Sequence, residues 1–367
     1  MSKFEPRIPR DLAVRLGEEA VIISKAGRYV GPAGEVEITA HVTNSLKKTR
    51  YYAPEHDHPA QQKGPHQTRF EVTNETTLSA HRRHQAKGHK VVSLNFASAT
   101  HPGGGFLSGA RAQEEYLCRS SALYLTLKDW PMYDYHRANG GCLYSDAMIY
   151  SPDVPVFRDD EHGLLPSPYH ASFITSAAPL AKNLEPQELH QLRGILTSRI
   201  RKIMTVAKSH GHDSLILGAW GCGAFGNNGN LMADLFHQAL TEDFAGAFKE
   251  TTFAVADTSP DEHFITPFKR RFSPIALGAK TPRNPLVLGD VIKRTNHLLR
   301  KHLRLCSEPH ENLDFERDLK VVFQTLEPLI CDLEFEFRLK NVTEPDVSRI
   351  RNVKQLYALI MERGKEP

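Results

Sequence analysis

The chain has 367 residues, 40% hydrophobic and 24% charged, with 46 basic and 43 acidic side chains. This composition is that of an ordinary globular protein; it excludes a disordered or collagen-like chain, and a net charge of +3 is too small for a surface devoted to nucleic acid. We find neither the apolar core of a signal peptide nor the run of ~20 apolar residues that spans a bilayer, so we expect an intracellular protein, cytoplasmic or, in a eukaryote, nuclear.

The N-terminal segment, residues 1–68, is predicted to form an extension that caps the main domain. It begins with a helix over Arg10 to Lys25, followed by two short strands on either side of a Pro-Ala-Gly turn at residues 32–34. The histidine-rich stretch from His56 to His66 contains proline and glycine but no cysteine. It therefore indicates a solvated loop rather than a metal site.

From Phe70 onward, strand-like and helical runs alternate. The predicted strands are VVSLNFAS, MIYSPDVPVF, SFITSA, SLILGAW and TTFAVAD; the helices include TTLSAHRRHQAKG and residues 185–209 and 231–240. Alternation of this kind predicts an α/β domain over residues 69–272, a three-layer α/β/α arrangement with a mainly parallel or mixed sheet. Ligands bind such sheets where strands end, so we expect a site after VVSLNFAS and SLILGAW.

The C-terminal part has a different character. Residues 273–289 are rich in proline and glycine and lack strand alternation, which is typical of a linker. Apolar residues at helical spacing then predict helices over Asp290–Leu305, Glu311–Leu339 and Asp346–Glu362, the second kinked or split at Pro328. We interpret residues 290–367 as a helical appendix that binds a partner, self-associates or stabilises the chain.

The cysteines are odd in number and lack the close pairing of zinc sites or disulfide frameworks. We expect reduced, mostly buried thiols. They are Cys118, Cys142, Cys222, Cys306 and Cys331.

Two glycine-rich loops, each directly after a predicted strand, are the main indication of function. The first contains Gly103, Gly104 and Gly105, and the second is GAWGCGAFGNN, from residue 218, before a helix near Leu231. Glycines let backbone amides approach a ligand closely, and amides at a helix N-terminus bind phosphates. Either loop alone is equally typical of a tight strand-to-helix turn, and neither matches the dinucleotide fingerprint or the P-loop. Two such loops at one sheet edge favour a ligand containing a diphosphate.

Glu114 and Glu115 follow the first loop, in the first turn of a predicted helix, QEEYLCRSSALYLTLK. Carboxylates at a helix start also occur simply to complement the macrodipole. Adjacent helical residues point in different directions, so we expect the two side chains to have different roles. Beside each other they should raise one another's proton affinity, as a general acid near neutral pH requires.

The run LNFASATHPGGGFLSGARAQEEYLCRSSALY resembles the signature of microbial-type poly(ADP-ribose) glycohydrolases, a triple glycine followed by Gln-Glu-Glu. The blocks VTNETTLSAHRR, MIYSPDVPVFRDD, SFITSAAP, GHDSLILGAWGCGAFGN and FAVAD resemble blocks of the same family in the same order, over roughly residues 10–272. The resemblance implies a macrodomain fold with an N-terminal extension. The helical appendix has no counterpart in the minimal family pattern.

The resemblance also implies roles for individual residues. Glu115 matches the catalytic acid, and Glu114 matches the residue that holds the ribose next to the scissile bond. Gly103, Gly104, Gly105 and Gln113 match the frame of the catalytic loop. The diphosphate-binding loop corresponds to Gly221, Cys222, Gly223, Ala224, Phe225 and Gly226, with Phe225 packed against the distal ribose and Asn95 near that same ribose.

The activity implied is hydrolysis of ribose–ribose O-glycosidic bonds, releasing ADP-ribose from chain ends, with poly(ADP-ribose) or ADP-ribosylated macromolecules as partners and no metal, redox cofactor or membrane. Two alternatives stay open. One is a hydrolase that removes single ADP-ribose units from protein or nucleic acid, and the other is a non-catalytic ADP-ribose reader. The retained Gln113, Glu114 and Glu115 argue against a reader, which has no need of a buried acid.

Overall fold

The computed structural model describes residues 8–56, 61–272, 287–303, 305–321, 327–337, 339 and 344–364. The chain divides into two compact units. The first contains the residues up to Lys182 and from Gly194 to Ser273; the second contains Asn183–Arg193 and the residues from Pro274 onward. No helix within the described ranges has the length and hydropathy of a bilayer-spanning segment.

A mixed seven-stranded sheet forms the centre of the first unit, in the order β3-β6-β7-β5-β8-β9-β4. The pairs β7–β5, β5–β8, β8–β9 and β9–β4 are parallel, whereas the pairs β3–β6 and β6–β7 are antiparallel. The strands are β3 (Arg50–Tyr52), β4 (Arg69–Thr73), β5 (Val91–Phe96), β6 (Met148–Arg158), β7 (Leu164–Ser176), β8 (Ser214–Leu217) and β9 (Glu250–Ala254); β1 (Arg28–Gly31) and β2 (Gly34–Glu37) form a separate hairpin.

Helices flank the sheet, which confirms the predicted α/β class with a mixed sheet. They are α1 (Arg10–Ala26), α2 (Thr39–Lys48), α3 (Thr77–Gln85), α4 (Gln113–Ser120), α5 (Leu123–Leu127), α6 (Pro131–Asn139), α7 (Pro186–Ser209), α8 (Gly229–Gln238) and α9 (Thr266–Phe272). Helix α3 begins where the Thr76 hydroxyl accepts the Ser79 N–H, and α8 begins where the Asn228 side chain accepts the N–H groups of Asn230 and Leu231.

The long helix predicted after the first glycine loop is interrupted. Helix α4 ends at Ser120, and α5 begins at Leu123. Between them the Ser121 backbone pairs with Val156, and the Ala122 N–H donates to the Pro155 carbonyl. Pairing with the adjacent strand β6 therefore replaces one turn of helix.

The N-terminal helix α1 packs directly against the first glycine loop. It ends at Gly27, which donates its N–H to the Ile23 carbonyl and has a left-handed φ of 70°. A Cβ at Gly17 would come within 2.8 Å of the Phe106 carbonyl oxygen. Arg10 Nε also donates to the Ser108 carbonyl at 3.0 Å. The N-terminal extension therefore supports this loop from behind.

The histidine-rich stretch lies partly outside the described residues, since 57–60 are not described. The residues that follow pair with the backbone just before β9. The N–H groups of Gln62, Gly64 and His66 donate to carbonyls of residues 243–246. The close approach at Gly64 leaves no room for a Cβ, which would lie 2.4 Å from the Gly246 carbonyl oxygen. This part of the segment is therefore held in place by backbone hydrogen bonds and is not a freely solvated loop.

The second unit has its own core, formed by apolar residues of helices α10 (Leu288–Leu303), α11 (Glu327–Phe337) and α13 (Val353–Arg363), with α12 (Glu344–Ser348) between the last two. The helix predicted over 311–339 is wrong in its first half, because residues 305–321 form turns. There the Asp314 carboxylate accepts the N–H groups of Glu316 and Arg317. Such local side-chain bonds compete with helix.

The helix predicted over 346–362 is also split, because Asn352 starts a new one. Its side chain accepts the Gln355 N–H, and Gln355 accepts the Asn352 N–H in return, a capping box that begins α13. The predicted linker at 273–289 lies almost wholly outside the described residues.

Among the cysteines with a described side chain, all four are free thiols. The expectation that they are mostly buried is wrong: Cys118 is buried, Cys142 and Cys222 are half-buried, and Cys306 is exposed. The side chain of Cys331 lies outside the described residues.

Candidate active site

The first glycine loop reverses direction after β5 by using backbone conformations that favour glycine. Gly103 has φ +74° and Gly104 has φ +59°. A Cβ on Gly104 would lie 2.2 Å from Glu115 Oε1 and 3.2 Å from Glu114 Oε2. Only glycine at this position leaves room for both carboxylates. Gly105 N–H closes the loop by donating to Glu115 Oε1 at 3.0 Å.

Glu115 is fixed by backbone amides on both of its oxygens. Oε1 accepts the Gly105 N–H at 3.0 Å, and Oε2 accepts the Ala112 N–H at 2.9 Å. The second bond is half of a capping box for α4, because Glu115 occupies the N3 position of this helix. Glu115 is only 8% exposed, yet it lines the cavity described below. The carboxyl group is therefore both rigidly positioned and accessible to a ligand.

Glu114 points to different partners, as expected for adjacent helical residues. Its Oε2 accepts the Ser98 N–H at 2.7 Å, and its Oε1 accepts Asn95 Nδ2 at 3.2 Å. Burial and, to a smaller extent, the negative charge of Glu115 together raise the pKa of Glu114 to about 8, against the lowering effect of the Ser98 and Asn95 hydrogen bonds. The expected effect of one glutamate on the other is thus present at Glu114.

The raised pKa of Glu114 makes stability depend on pH. The folded-state value of about 8 lies above the ordinary 4.5, so the native state retains a proton that the unfolded state releases. The stability linked to this proton is complete below pH 4.5 and is lost as pH rises to about 8. We expect the free energy of unfolding of the wild type, relative to Glu114→Gln, to fall across this interval with a slope of up to ~1.4 kcal/mol per pH unit.

Urea unfolding of both proteins at several pH values measures this difference. Subtracting the free energy of unfolding of the variant from that of the wild type cancels the pH-dependent contribution of the buried histidines. His81 is one of these, because burial lowers its pKa to about 3. Glu18→Gln, at an exposed position of α1, is the matched control and should give a nearly constant difference. Parallel curves for wild type and Glu114→Gln would contradict the raised pKa.

Gln113 connects three elements beneath the site. Its Oε1 accepts the Phe96 N–H at 2.9 Å, and its Nε2 donates to the Leu94 carbonyl at 2.8 Å and to Thr77 Oγ1 at 3.0 Å. These bonds tie the start of α4 to the end of β5 and to the first turn of α3. The side chain therefore sets the position of the glutamates that follow it.

Asn95 lies beneath Glu114 rather than on the cavity wall. It is completely buried, and its Nδ2 donates to Glu114 Oε1 and to Thr175 Oγ1. In this position Asn95 helps to fix the orientation of the Glu114 carboxyl group. The sequence resemblance had placed it near a ribose.

The second glycine loop forms a compact turn between β8 and α8. Gly221 and Gly226 both have φ +73°, and the Gly226 N–H donates to the Gly223 carbonyl at 3.1 Å. Asn227 donates from its backbone to the Gly221 carbonyl and from Nδ2 to the Pro179 carbonyl. A Cβ on Gly223 would meet open space within 4 Å. The turn is therefore fixed by the hydrogen bonds of Asn227, while its backbone at Gly223 is open to a ligand.

Both loops border one cavity of about 370 Å³. It lies at the C-terminal ends of the parallel strands β5, β8 and β9, because β5 pairs with β8 and β8 with β9. Of the residues singled out in the sequence, the lining includes Gln113, Glu114, Glu115, Gly221, Gly223, Ala224 and Phe225. The lining does not include Asn95, the three glycines 103–105, Cys222 or Gly226.

Several lining residues were not identified from the sequence. The end of β9 contributes Ala254 to Ala256, and Thr258 and Phe264 follow it; the start of α3 contributes Thr76 and Thr77. The parallel pairing of β9 with β8 could have indicated the first group, since the ends of adjacent parallel strands lie together. The second group has only an N-cap threonine as a signal.

This arrangement suits a ligand with a phosphate group and a sugar. Open backbone turns at the edge of a parallel sheet bind diphosphate, and two carboxyl groups beside them can bind hydroxyls and transfer protons. The apolar wall, with Trp220 and Phe225, suits a flat or ribose-like surface.

A family model for the catalytic domain of microbial-type poly(ADP-ribose) glycohydrolase matches residues 17–159. A search of curated protein sequences finds no match. Solved structures give extensive similarity. The chain is 43% identical to the poly(ADP-ribose) glycohydrolase of Thermomonospora curvata bound to the inhibitor ADP-HPD, covering 71% of this chain and 100% of that one with a TM-score of 0.66.

A variant of the Thermomonospora curvata enzyme with a glutamate replaced by alanine is also 43% identical, with the same coverage of 71% and 100% and a TM-score of 0.66. The Deinococcus radiodurans enzyme in complex with ADP-ribose is 40% identical, covers 65% of this chain and 100% of that chain, and has a TM-score of 0.62.

Proposed function

Because this chain belongs to the family of microbial-type poly(ADP-ribose) glycohydrolases, we propose that Glu115 is the acid and base with which it hydrolyses the bond between two riboses of poly(ADP-ribose). The activity is that of a glycosidase. The observation that carries the assignment is the position of Glu115, nine-tenths buried and held by two backbone amides, yet facing the cavity.

The terminal ADP-ribose unit would bind with its diphosphate on the turn at residues 221–226. Its distal ribose would then lie between Phe225 and the two glutamates, all of which line the same cavity. Glu114 would bind hydroxyls of this ribose, since its carboxyl group is fixed by Ser98 and Asn95. This placement brings the anomeric carbon to Glu115.

The chemistry then follows the general scheme for glycoside hydrolysis. Glu115 donates its proton to the departing ribose oxygen as the bond from the anomeric carbon breaks and an oxocarbenium-like centre develops. Water then attacks the anomeric carbon and returns a proton to Glu115. The diphosphate stabilises the developing positive charge, and Glu114 keeps the ribose oriented through its hydroxyls. ADP-ribose is the product, and these steps use no metal or redox cofactor.

We further propose that chains are shortened from their ends. A cavity of about 370 Å³ is of the size that holds one small ligand, which suits a terminal unit. The residues after 290 would then serve another purpose, such as binding a partner protein, self-association or stabilisation.

Product analysis distinguishes this proposal from removal of single ADP-ribose units. Incubation with long poly(ADP-ribose) should release monomeric ADP-ribose from the start, with little accumulation of intermediate lengths. Protein carrying single ADP-ribose units should remain unchanged. Untouched polymer together with cleaved mono-modified substrate would contradict the proposed bond, and early oligomers would contradict cleavage from the ends.

A further inference from the structure

We propose that His84, His89 and Glu250 bind one divalent transition-metal ion, Zn²⁺ in particular, at the end of the sheet opposite the glycohydrolase cavity. One ring nitrogen of each histidine and a carboxylate oxygen of Glu250 all lie within 4.8 Å of one another. The Nδ1 atoms of His84 and His89 lie 3.5 Å and 3.9 Å from Glu250 Oε2. His84 lies at the end of α3, His89 just before β5, and Glu250 at the start of β9. The cavity, by contrast, lies at the C-terminal ends of these strands.

The protonation of His84 follows from its neighbours. The Thr252 hydroxyl has one proton, which it donates to Glu71 Oε2 at 3.1 Å, because a carboxylate oxygen can only accept. Thr252 Oγ1 lies 2.9 Å from His84 Nε2 and must therefore accept a proton from this nitrogen. His84 Nδ1 is then the nitrogen with the free lone pair.

The free lone pair of His84 Nδ1 is buried and accepts no hydrogen bond from the described residues. His84 is completely buried, and Nδ1 has no hydrogen-bond partner in the described part of the chain. The atom facing it is Glu250 Oε2, at 3.5 Å. Two acceptors thus face each other inside the protein, an arrangement that a cation between them would stabilise.

The surroundings of His84 are those of a metal ligand. A ligating histidine donates its other ring N–H to a fixed acceptor, which orients the ring, and here this acceptor is Thr252, itself bonded to Glu71. Arg83, at 2.7 Å from Glu71, balances the charge of that second carboxylate.

Two cations already lie near Glu250. Lys87 Nζ is 3.3 Å from both carboxylate oxygens, and Arg69 Nε is 3.8 Å from Oε1. Their side chains are 39% and 70% exposed, against 5% for Glu250. A half-exposed lysine pair stabilises little. The metal ion would therefore replace the Lys87 ammonium, which can turn to solvent, and His89 would exchange its 2.6 Å contact with Ser214 Oγ for the metal.

The ligand set selects the ion. Two imidazole nitrogens and one carboxylate oxygen, with a fourth position for water, are typical of Zn²⁺, whereas Ca²⁺ and Mg²⁺ prefer oxygen ligands throughout. The ion would join the end of α3 to β9. The other end of α3 carries Thr76 and Thr77, which line the cavity, so the metal would stabilise the frame of the site without taking part in hydrolysis.

Titration of the full chain, free of any affinity tag, with Zn²⁺ alone tests the proposal by calorimetry. Co²⁺ absorption in the visible range reports the coordination geometry. We expect one ion per chain, a Kd raised at least ~10-fold in His89→Ala, and a lowered Kd in Lys87→Ala, because the competing ammonium is gone. His66→Ala and Cys306→Ser are matched controls for adventitious binding and should leave the Kd unchanged.

His89 and Lys87 are partly exposed, so both variants should fold and decide the outcome. Equal Zn²⁺ affinity in wild type and His89→Ala, or loss of binding in either control, would overturn the site. A Lys87→Ala protein with unchanged affinity would also contradict it. Release of ADP-ribose from polymer should be the same in all these variants, which keeps this test separate from that of the glycohydrolase assignment.

Discussion

Replacement of Glu115 by glutamine should lower kcat on poly(ADP-ribose) by about 10³-fold, within the range that a general acid and base contributes. Glutamine has nearly the shape of glutamate but has no proton to donate. ADP-ribose should still bind with an affinity within a few-fold of the wild type, because the diphosphate turn is unchanged. Rates of ADP-ribose release and calorimetric titration with ADP-ribose measure the two quantities.

The hydrogen bonds of Glu115 add a second expected effect of this substitution. Both oxygens accept backbone N–H groups, from Gly105 and Ala112. A glutamine has one acceptor oxygen and an NH₂ group, so one of these N–H groups loses its partner, at a cost of about 1–3 kcal/mol. We therefore expect a lower Tm for Glu115→Gln together with the lost turnover.

The exposed Glu18→Gln again serves as the control and should change neither property. Unchanged turnover in Glu115→Gln would refute the role of Glu115. Loss of ADP-ribose binding along with turnover would mean that Glu115 mainly holds the loop in place, and the assignment of the acid would fail.

The site could be predicted from the sequence where glycine and strand patterns coincide. Strand β5 is mostly apolar and is buried up to Phe96. Among the glycines after β5 and after β8, Gly103, Gly104, Gly221 and Gly226 have the left-handed φ that favours glycine. Because β5 and β8 are parallel neighbours, the two turns meet at one edge. The distinct directions of Glu114 and Glu115 followed from helical geometry alone.

The parts that were missed carry no comparable signal. Residues 254–256 lie at the end of β9 and directly after it, and their place in the cavity depends on the pairing of β9 with β8. The cluster of His84, His89 and Glu250 joins positions more than 160 residues apart along the chain, so no local spacing indicates it. In the second unit, helical periodicity was overridden by the local bonds of Asp314 and Asn352.

Gly104→Ala should lower kcat by at least ~10²-fold, the usual cost of moving a catalytic group by about 1 Å. The new Cβ would lie 2.2 Å from Glu115 Oε1, so the carboxyl group has to leave its bonds to Gly105 and Ala112. The backbone adds a further cost, because φ is +59° and a left-handed conformation costs an alanine about 1–2 kcal/mol.

Gly211→Ala separates these two effects. Gly211 has φ +73°, and nothing lies within 4 Å of a Cβ placed on it, so this variant has the backbone cost without the clash. Urea unfolding should show both variants destabilised, while release of ADP-ribose should fall only in Gly104→Ala. A Gly104→Ala enzyme as active as Gly211→Ala would show that catalysis tolerates a displaced Glu115. In that case the rigid placement of the carboxyl by two amides would be a feature of loop stability, and the proton would have to come from another group, with Glu114 the nearest.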